Sequence, residues 1–500
     1  MRLLLRRCFV ASLLLAACAR VETKPAPAQP SPDAGEDAGV TGSATSPAAP
    51  SVEPTVTCGY PAAGASFTLP AIGGLPQGAF ASLDGTATCI DGKPFRFTLR
   101  DMDGDRQPDL VVTTTCGDET IGLDAWNVYT NSGTGFGTAP KRFALPQPRL
   151  DPACAKWQLA DVDGDLAPDL VVTSLCTDAS VGSTRWIVYQ NGTGGFGPAT
   201  PFVLPIQPGN PAGMFASVDP QPADCANGRP GYAFFDVDGD KKRDLVITTA
   251  CDNVQIGTTA WRVYLGSGTG VAAAPILFPL PTAPFVPVGT YASAIGGGPG
   301  CSAETPGPRY SVVDFDGDLR PDVVLTEDCT DTSVGFTRWS LYRNSGTGFA
   351  ATPTAVALPV LPGITLHAFD ALAAKPVCTG TQKSPGFAAV DVDGDLRPDL
   401  LVTRSCADVT TGVSDWLLYK NDDGGLATAS AALALPAALG ASVNAPLALG
   451  SDAGCAASPP RPAFVAVSLA HSKLDLVVTS ACADVTVGTS RWVMFEPTCP

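Results

Sequence analysis

The sequence predicts an all-β fold, a six-bladed β-propeller of four-stranded blades, from three observations. One cassette recurs six times at fixed internal spacing, each copy holds four short strand-length runs without helical periodicity, and the two chain ends each carry part of one cassette. Length alone would suggest about three domains of roughly 150 residues, but a repeated unit overrides that count. Four-stranded sheets in a series are best arranged radially, because that protects all but short edges. A linear array of β units is the alternative, and the chain ends argue against it.

Each cassette opens its first strand with an aromatic: Phe97, Trp157, Tyr232, Tyr310, Phe387 and Phe464. Four residues later an aspartate loop begins, complete in five copies as Asp-x-Asp-Gly-Asp-x-x-x-Asp. Its members are Asp101, Asp103, Asp105 and Asp109; Asp161, Asp163, Asp165 and Asp169; Asp236, Asp238, Asp240 and Asp244; Asp314, Asp316, Asp318 and Asp322; and Asp391, Asp393, Asp395 and Asp399. An apolar second strand follows, such as Leu110-Val111-Val112-Thr113, and ends at a cysteine. A glycine comes six residues later, and ten residues later a tryptophan opens the third strand: Trp126, Trp186, Trp261, Trp339, Trp416 and Trp492. A Gly-Thr-Gly-Phe turn and a fourth strand ending in Leu-Pro or similar complete the unit.

The sixth copy stops after Arg491-Trp492-Val493-Met494-Phe495, without a fourth strand. The missing piece stands at residues 58–70, where Gly59-Tyr60 and Phe67-Thr68-Leu69-Pro70 align without a gap on Gly135-Phe136 and Phe143-Ala144-Leu145-Pro146. The N-terminal strand therefore completes the last blade and closes the ring. In the same alignment Cys499 falls on Gly133 and Cys58 on Thr134, so a Cys58–Cys499 disulfide is expected to replace the peptide link where the ring is cut. Six further cysteines precede the first strands, at the hairpin edge where the second strands end. The expected bridges are Cys89 with Cys116, Cys154 with Cys176, Cys225 with Cys251, Cys301 with Cys329, Cys378 with Cys406 and Cys455 with Cys482. Such pairing needs an oxidising compartment, and each bridge would add about 3 kcal/mol in the chain-entropy account. Zinc is the rival use of cysteine, but there is no Cys-x-x-Cys pair and the only histidines are His367 and His471.

Four carboxylates within nine residues repel one another unless a hard cation sits among them, and calcium is the expected ion. A plain Asp-Gly hairpin turn is the alternative, but a turn needs one aspartate, not four. No bidentate glutamate stands at the twelfth place as in an EF-hand, since Val112 holds it in the first loop. The sixth copy, Ser468-Leu469-Ala470-His471-Ser472-Lys473, keeps Asp475 alone. About five ions are therefore expected, with one blade empty.

Residues 1–17 read as a secretory signal: Arg2, Arg6 and Arg7 precede an apolar run from Phe9 to Leu15 that is too short to span a bilayer. The run ends in Leu15-Ala16-Ala17-Cys18, which resembles the bacterial lipobox and implies lipidation of Cys18. Ala19 in place of aspartate implies, by similarity to Gram-negative lipoproteins, an outer-membrane lipoprotein facing the periplasm or the cell surface. From there to residue 57 the chain is a Pro/Ala-rich tether with almost no large apolar side chain, expected to be disordered. The folded domain is expected over residues 58–500.

The aspartate loop followed by an apolar strand, with Gly-Thr-Gly-Phe turns between, resembles the FG-GAP and related VCBS repeats of integrin α-subunit propellers and bacterial surface proteins, over nearly all of residues 58–500. In that family loop residues one, three, five and nine give carboxylate oxygens and residue seven a backbone carbonyl. The resemblance thus implies that the carbonyls of Gln107, Ala167, Lys242, Arg320 and Arg397 join the aspartates around each ion.

The composition, 45% hydrophobic and 16% charged, is that of a folded chain. Its formal charge of −17 argues against nucleic acid as a partner. Because the acids recur in every intact copy and no unique Ser/His/Asp set stands out, the expected function is non-enzymatic: a monomeric, surface-anchored binding or adhesion module for protein or polysaccharide. The alternative is a propeller enzyme acting on polysaccharide, a lyase or glycosidase with acidic residues as acid and base. Asymmetry lies in the Pro/Gly-rich loops between units, such as Pro284 to Pro308, where specificity would reside.

Overall fold

The computed structural model describes residues 58–499, apart from 148–149, 152, 207–210, 283–286, 302–305, 382, 409, 423, 437–448, 454, 456–459 and 471. The leader, Cys18, the tether and His471 lie outside the described residues. Among the described residues the chain is all-β, with one 3-10 turn at Cys225–Asn227. No helix among the described residues is long and apolar enough to cross a membrane.

The second strands form the spine of each sheet. Asp109–Thr114, Asp169–Leu175, Asp244–Thr249, Asp322–Glu327, Asp399–Arg404 and Asp475–Ser480 are buried on both faces at their leucine and valine positions. A continuous β-branched run suits such a doubly covered strand, where alternation would expose half its apolar atoms. Each pairs antiparallel with a first strand (Pro94–Arg100, Ala155–Ala160, Gly231–Phe235, Arg309–Val313, Gly386–Val390 and Ala463–Val467) and with a third strand that carries the tryptophan. The tryptophans are buried, and four donate their indole N–H to the carbonyl of an aromatic residue in an inter-unit linker. These are Trp186 to Phe215 (2.6 Å), Trp261 to Tyr291 (2.8 Å), Trp339 to Phe369 (2.8 Å) and Trp492 to Phe80 (2.7 Å). A buried indole needs such an acceptor, and the linker provides it.

None of the sheets closes on itself; neighbouring units are joined instead by short contacts. Ala65–Thr68 pairs antiparallel with Arg491–Phe495, setting Phe67 opposite Trp492 as Phe143 stands opposite Trp126. Gly59 bridges to Ala434 of the fifth unit and Thr68 to Gly135 of the first. Gly195 bridges to Ala144, which merges the first and second units into one nine-stranded sheet. Val203 bridges to Gly270, and the amide of Phe349 donates to Pro279 at 3.0 Å. The aromatic of each Gly-Thr-Gly-Phe turn packs on the tryptophan of the preceding unit: Phe196 on Trp126 (5.8 Å), Phe349 on Trp261 (5.5 Å) and Phe136 on Trp492 (5.8 Å). Tyr60 does the same on Trp416 at 6.4 Å, so the N-terminal segment stands in the sixth unit's place.

Two features depart from the sequence reading. Four units gain a fifth short strand from the linker, at Gly85–Thr88, Gly296–Gly297, Ala373–Ala374 and Gly450–Ser451. And of the seven expected disulfides the structure holds six: Cys58–Cys499, Cys89–Cys116, Cys225–Cys251, Cys301–Cys329, Cys378–Cys406 and Cys455–Cys482. Cys154 and Cys176 are adjacent thiols, not a bridge. The reason is local. Cys154 stands three residues before Trp157, where its counterparts stand seven to nine before theirs, so it falls on the next rung of the strand ladder. There the amide of Cys176 donates to the Cys154 carbonyl at 3.1 Å. Directly opposed rungs keep their Cβ atoms about 4.5–5.5 Å apart, wider than the roughly 3.8 Å a disulfide prefers.

Non-reducing peptide mapping after alkylation should therefore recover six bridges and label Cys154 and Cys176. Replacing the pair at the chain ends, Cys58→Ser with Cys499→Ser, should lower stability in a denaturant melt by roughly 2–4 kcal/mol.

Candidate metal centres

The five aspartate loops share one backbone path. Glycine at the fourth place and an ordinary residue at the sixth both adopt left-handed φ, as in Gly104 (79°) and Arg106 (71°), and Leu166, Lys241, Leu319 and Leu396 repeat the latter at 72–75°. At Gly104 a Cβ would also lie 2.9 Å from the Asp165 carbonyl of the next unit, so only glycine fits. The double turn aims the amides of residues four and six at the first aspartate. Asp101, Asp161, Asp236, Asp314 and Asp391 each accept both, at 2.6–3.0 Å.

The ninth aspartates, Asp109, Asp169, Asp244, Asp322 and Asp399, are buried at the start of the second strand. Each accepts the amide of loop residue two and an amide at the end of the third strand, such as Met102 (3.0 Å) and Asn131 (2.8 Å) for Asp109. Burial pushes all five up to about 7, and nearby loop carboxylates add to the rise while the amides oppose it. Asp236, Asp314 and Asp391 are raised to about 6 for the same first reason.

Carboxylate oxygens of residues one, three and nine come within 4.8 Å of one another in all five loops: Asp101, Asp103 and Asp109; Asp161, Asp163 and Asp169; Asp236, Asp238 and Asp244; Asp314, Asp316 and Asp322; Asp391, Asp393 and Asp399. Such groups could hold a metal ion. The donor set fits a hard divalent cation, being all oxygen, multiply anionic and partly buried. One atom marks the fit directly: Oδ1 of Asp316 is buried without a hydrogen-bond partner, while Oδ2 takes Arg343 at 2.5 Å. A cation in the cluster would supply the missing partner.

Residue five is not in these triads. Asp105, Asp165, Asp240, Asp318 and Asp395 accept the amides of Gln107, Ala167, Lys242, Arg320 and Arg397 at 2.7–2.9 Å. Asp318 also pairs with the side chain of Arg320, and Asp240 and Asp395 stand 3.9 Å from Lys242 and Arg397. In the sixth unit the loop is one residue shorter. Asp475 keeps the ninth place, accepting Leu469 (3.0 Å) and Ala470 (3.1 Å), and no acidic triad forms there among the described residues.

Sequence reasoning overlooked what links one loop to the next. Asn191, Asn344 and Asn421, each five residues after a tryptophan, donate their side-chain amides to the second loop residue of the preceding unit: Met102 (2.9 Å), Val237 (2.7 Å) and Phe315 (2.8 Å). Asn131 reaches Leu469 of the sixth unit in the same way at 2.8 Å. Gly266 breaks the series in the third unit, where the half-buried Arg243 stands in place of the loop proline and interacts electrostatically with Asp161, Asp219 and Asp236. Burial lowers its pKa, and those carboxylates offset part of the effect. The asparagine spacing was visible in the sequence as a recurrent Trp-x-x-x-x-Asn.

One asymmetric cluster also went unforeseen. Glu327 replaces the Thr, Ser or Arg of its counterparts and lies between Arg309 (3.3 Å) and His367 (3.5 Å), while Arg309 also pairs with Asp370. His367 holds φ 63° where Gly78, Gly213 and Gly289 stand before the other linker aromatics. The Arg309–Asp370 ion pair and the His367–Glu327 contact tie the linker into the fifth unit to the fourth. At the same end of the sheets, Asp118, Asp178, Asp331, Asp408 and Asp484 cap turns by accepting the amide two residues on, at 2.9 Å.

Residues 101–172 match the sequence model of an FG-GAP-like repeat. No curated protein matches the chain. Among solved structures, the chain is similar to the Tc holotoxin pore of Photorhabdus luminescens at 21% identity and a TM-score of 0.35, over 61% of this chain and 10% of that one. It thus spans a tenth of the toxin chain's length. It is also similar to a lectin of Agrocybe aegerita that recognises non-reducing terminal N-acetylglucosamine, at 15% identity and a TM-score of 0.36, over 77% of this chain and 74% of that one. A fungal alcohol oxidase of the AA5 family, in complex with copper, follows at 9% identity and 0.28, over 88% and 76%. With TM-scores below 0.5, none of these likenesses fixes a fold or a function for this chain.

A carboxyl raised from its unfolded value near 3.9 to about 7 in the fold contributes stability that is full below pH 4 and lost as pH rises through 7. Five such groups act together. The chelated protein should therefore melt at a higher temperature at pH 5 than at pH 8. With millimolar calcium the order should reverse, because protons then compete with the ion; calorimetric melts at the two pH values check both signs.

Proposed function

We propose, from the FG-GAP-like repeat matched at residues 101–172, that the chain is a calcium-stapled, six-bladed β-propeller that serves as a non-enzymatic binding or adhesion module at the bacterial surface. The observation that carries this reading is the fivefold recurrence of one acidic triad at one hairpin. Each ion would be held by the carboxylates of residues one, three and nine. The carboxylate of residue five and the carbonyls of Gln107, Ala167, Lys242, Arg320 and Arg397 would complete the shell as the hairpin tightens. Calcium supplies charge neutralisation here; the chain's own amides and asparagines orient the carboxylates.

Closure into six blades is supported by the chain-end pairing of Ala65–Thr68 with Arg491–Phe495 and by the loop bond from Asn131 to Leu469. A binding role is favoured over catalysis by repetition, since a lyase or glycosidase needs one asymmetric acid–base pair and these acids recur five times. Lipidation at Cys18 would anchor the module to the outer membrane through the Pro/Ala-rich tether, with protein or polysaccharide as its ligand.

Isothermal titration of the protein with calcium should count about five ions, and chelation should lower the melting temperature by more than 10 °C. An Asp322→Asn variant should lose one ion from that count and leave the rest. A titration that shows no calcium uptake would reduce the loops to hairpin turns and overturn the reading.

A further inference from the structure

Five of the six first strands are covered along their free edge by the chain that leads into them. Gly85–Thr88 pairs antiparallel with Pro94–Arg100, Gly296–Gly297 with Arg309–Val313, Ala373–Ala374 with Gly386–Val390, and Gly450–Ser451 with Ala463–Val467. In the third unit Gln221 exchanges two backbone hydrogen bonds with Tyr232, at 2.8 and 3.0 Å. The pairing always includes the strand's aromatic: Phe97 lies opposite Gly85, Tyr310 opposite Gly297, Phe387 opposite Ala374 and Phe464 opposite Ser451. Four of the incoming segments also bring a ring of their own. Phe80 packs on Phe97, Phe215 on Tyr232, Tyr291 on Tyr310 and Phe369 on Phe387, with centroids 4.9–5.1 Å apart.

The second unit lacks this cover. The segment 145–154 that leads into it is short and contains no aromatic residue, and among the described residues Ala155–Ala160 ends its sheet with no partner on the outer side. Trp157 is consequently 40% exposed, while its five counterparts are at most 4% exposed. Its ring touches Trp126 at 5.8 Å. Trp157 lies opposite Val172 in the register that sets Tyr232 opposite Ile247, so its backbone N–H and C=O face the free edge as those of Tyr232 face Gln221. An open strand edge beside an exposed tryptophan is a pairing template that soluble proteins otherwise blunt.

We propose that this edge is a docking strand for an extended peptide of a partner protein, which adds antiparallel to Ala155–Ala160 and lays an aromatic side chain on Trp157. The sister units specify the occupant's chemistry: a strand of small residues, as in Gly85-Thr86-Ala87-Thr88, preceded five residues earlier by an aromatic, as in Phe80 and Tyr291. Main-chain pairing supplies affinity and the ring supplies selectivity. The inference rests on the binding role proposed above only in taking protein as the partner class, and does not depend on calcium.

The probe is a synthetic peptide copying Phe80–Thr88, offered to the full chain and followed by amide hydrogen exchange. In the free protein the Trp157 amide should exchange at least about 100-fold faster than that of Tyr232, and saturating peptide should slow it at least about tenfold. Peptides with proline at the Gly85 place or serine at the Phe80 place should bind at least about tenfold more weakly. Trp157→Ser should lose the peptide and Trp157→Phe should keep it. A Trp157 amide already as protected as that of Tyr232 would mean that the chain covers its own edge, and would overturn the proposal. So would peptide binding that leaves the Trp157 amide unprotected, or no binding at millimolar peptide. These outcomes are read without calcium titration, so this proposal and the calcium reading fail separately.

Discussion

The structure depends on a carboxylate placed where its charge is most costly. The ninth aspartate of each loop is buried at the root of the second strand and accepts one amide from the loop and one from the end of the third strand. Those two bonds fix the hairpin against the neighbouring strand, so the geometry of the loop and of the sheet are one problem. The cost is visible in the raised pKa of every such group. Two amides do not neutralise a buried charge, and the loop gathers two more carboxylates beside it. An arrangement that is strained electrostatically while empty is one that a divalent cation stabilises.

The same carboxylate carries the link between units. The amide that it accepts from the third strand belongs, in four units, to an asparagine whose side chain bonds the preceding unit's loop. Ion, hairpin and inter-unit contact are thereby joined in a single hydrogen-bonded series that passes from unit to unit. Where the series breaks, another device stands in its place. Arg243 lies among the carboxylates at the junction of the second and third units. At the sixth unit, which lacks the acidic triad, the amide of Leu474 donates to Val392 at 3.1 Å and the Cys58–Cys499 bridge ties the chain ends together.

The repetition makes exceptions informative. Conditions common to all units describe the scaffold, and departures mark positions under a different demand. Three departures are prominent: the ion-paired cluster around Glu327, the thiol pair at Cys154 and Cys176, and the bare edge at Trp157. The last two have one origin. The segment that leads into the second unit is short, which places its cysteine on the strand ladder, and none of its described residues pairs with the strand.

Much of this was legible in the residues themselves. The four main strands of each unit, the aspartate loops, the buried tryptophans and the chain-end alignment all follow from spacing, because each recurs at constant sequence separation. The asparagine bridges were legible in principle, since their offset from tryptophan is constant, but nothing in a single unit reveals that the partner is the neighbour's carbonyl. Three matters were decided only by tertiary structure. Residue five of the loop turned to the amide of residue seven and away from the triad, because left-handed φ at residues four and six commits the amides to particular carboxylates. Cys154 and Cys176 stayed apart because a rung of the ladder sets their separation. Trp157 lay open because cover comes from linkers, whose paths depend on where two units meet and not on the pattern inside either one.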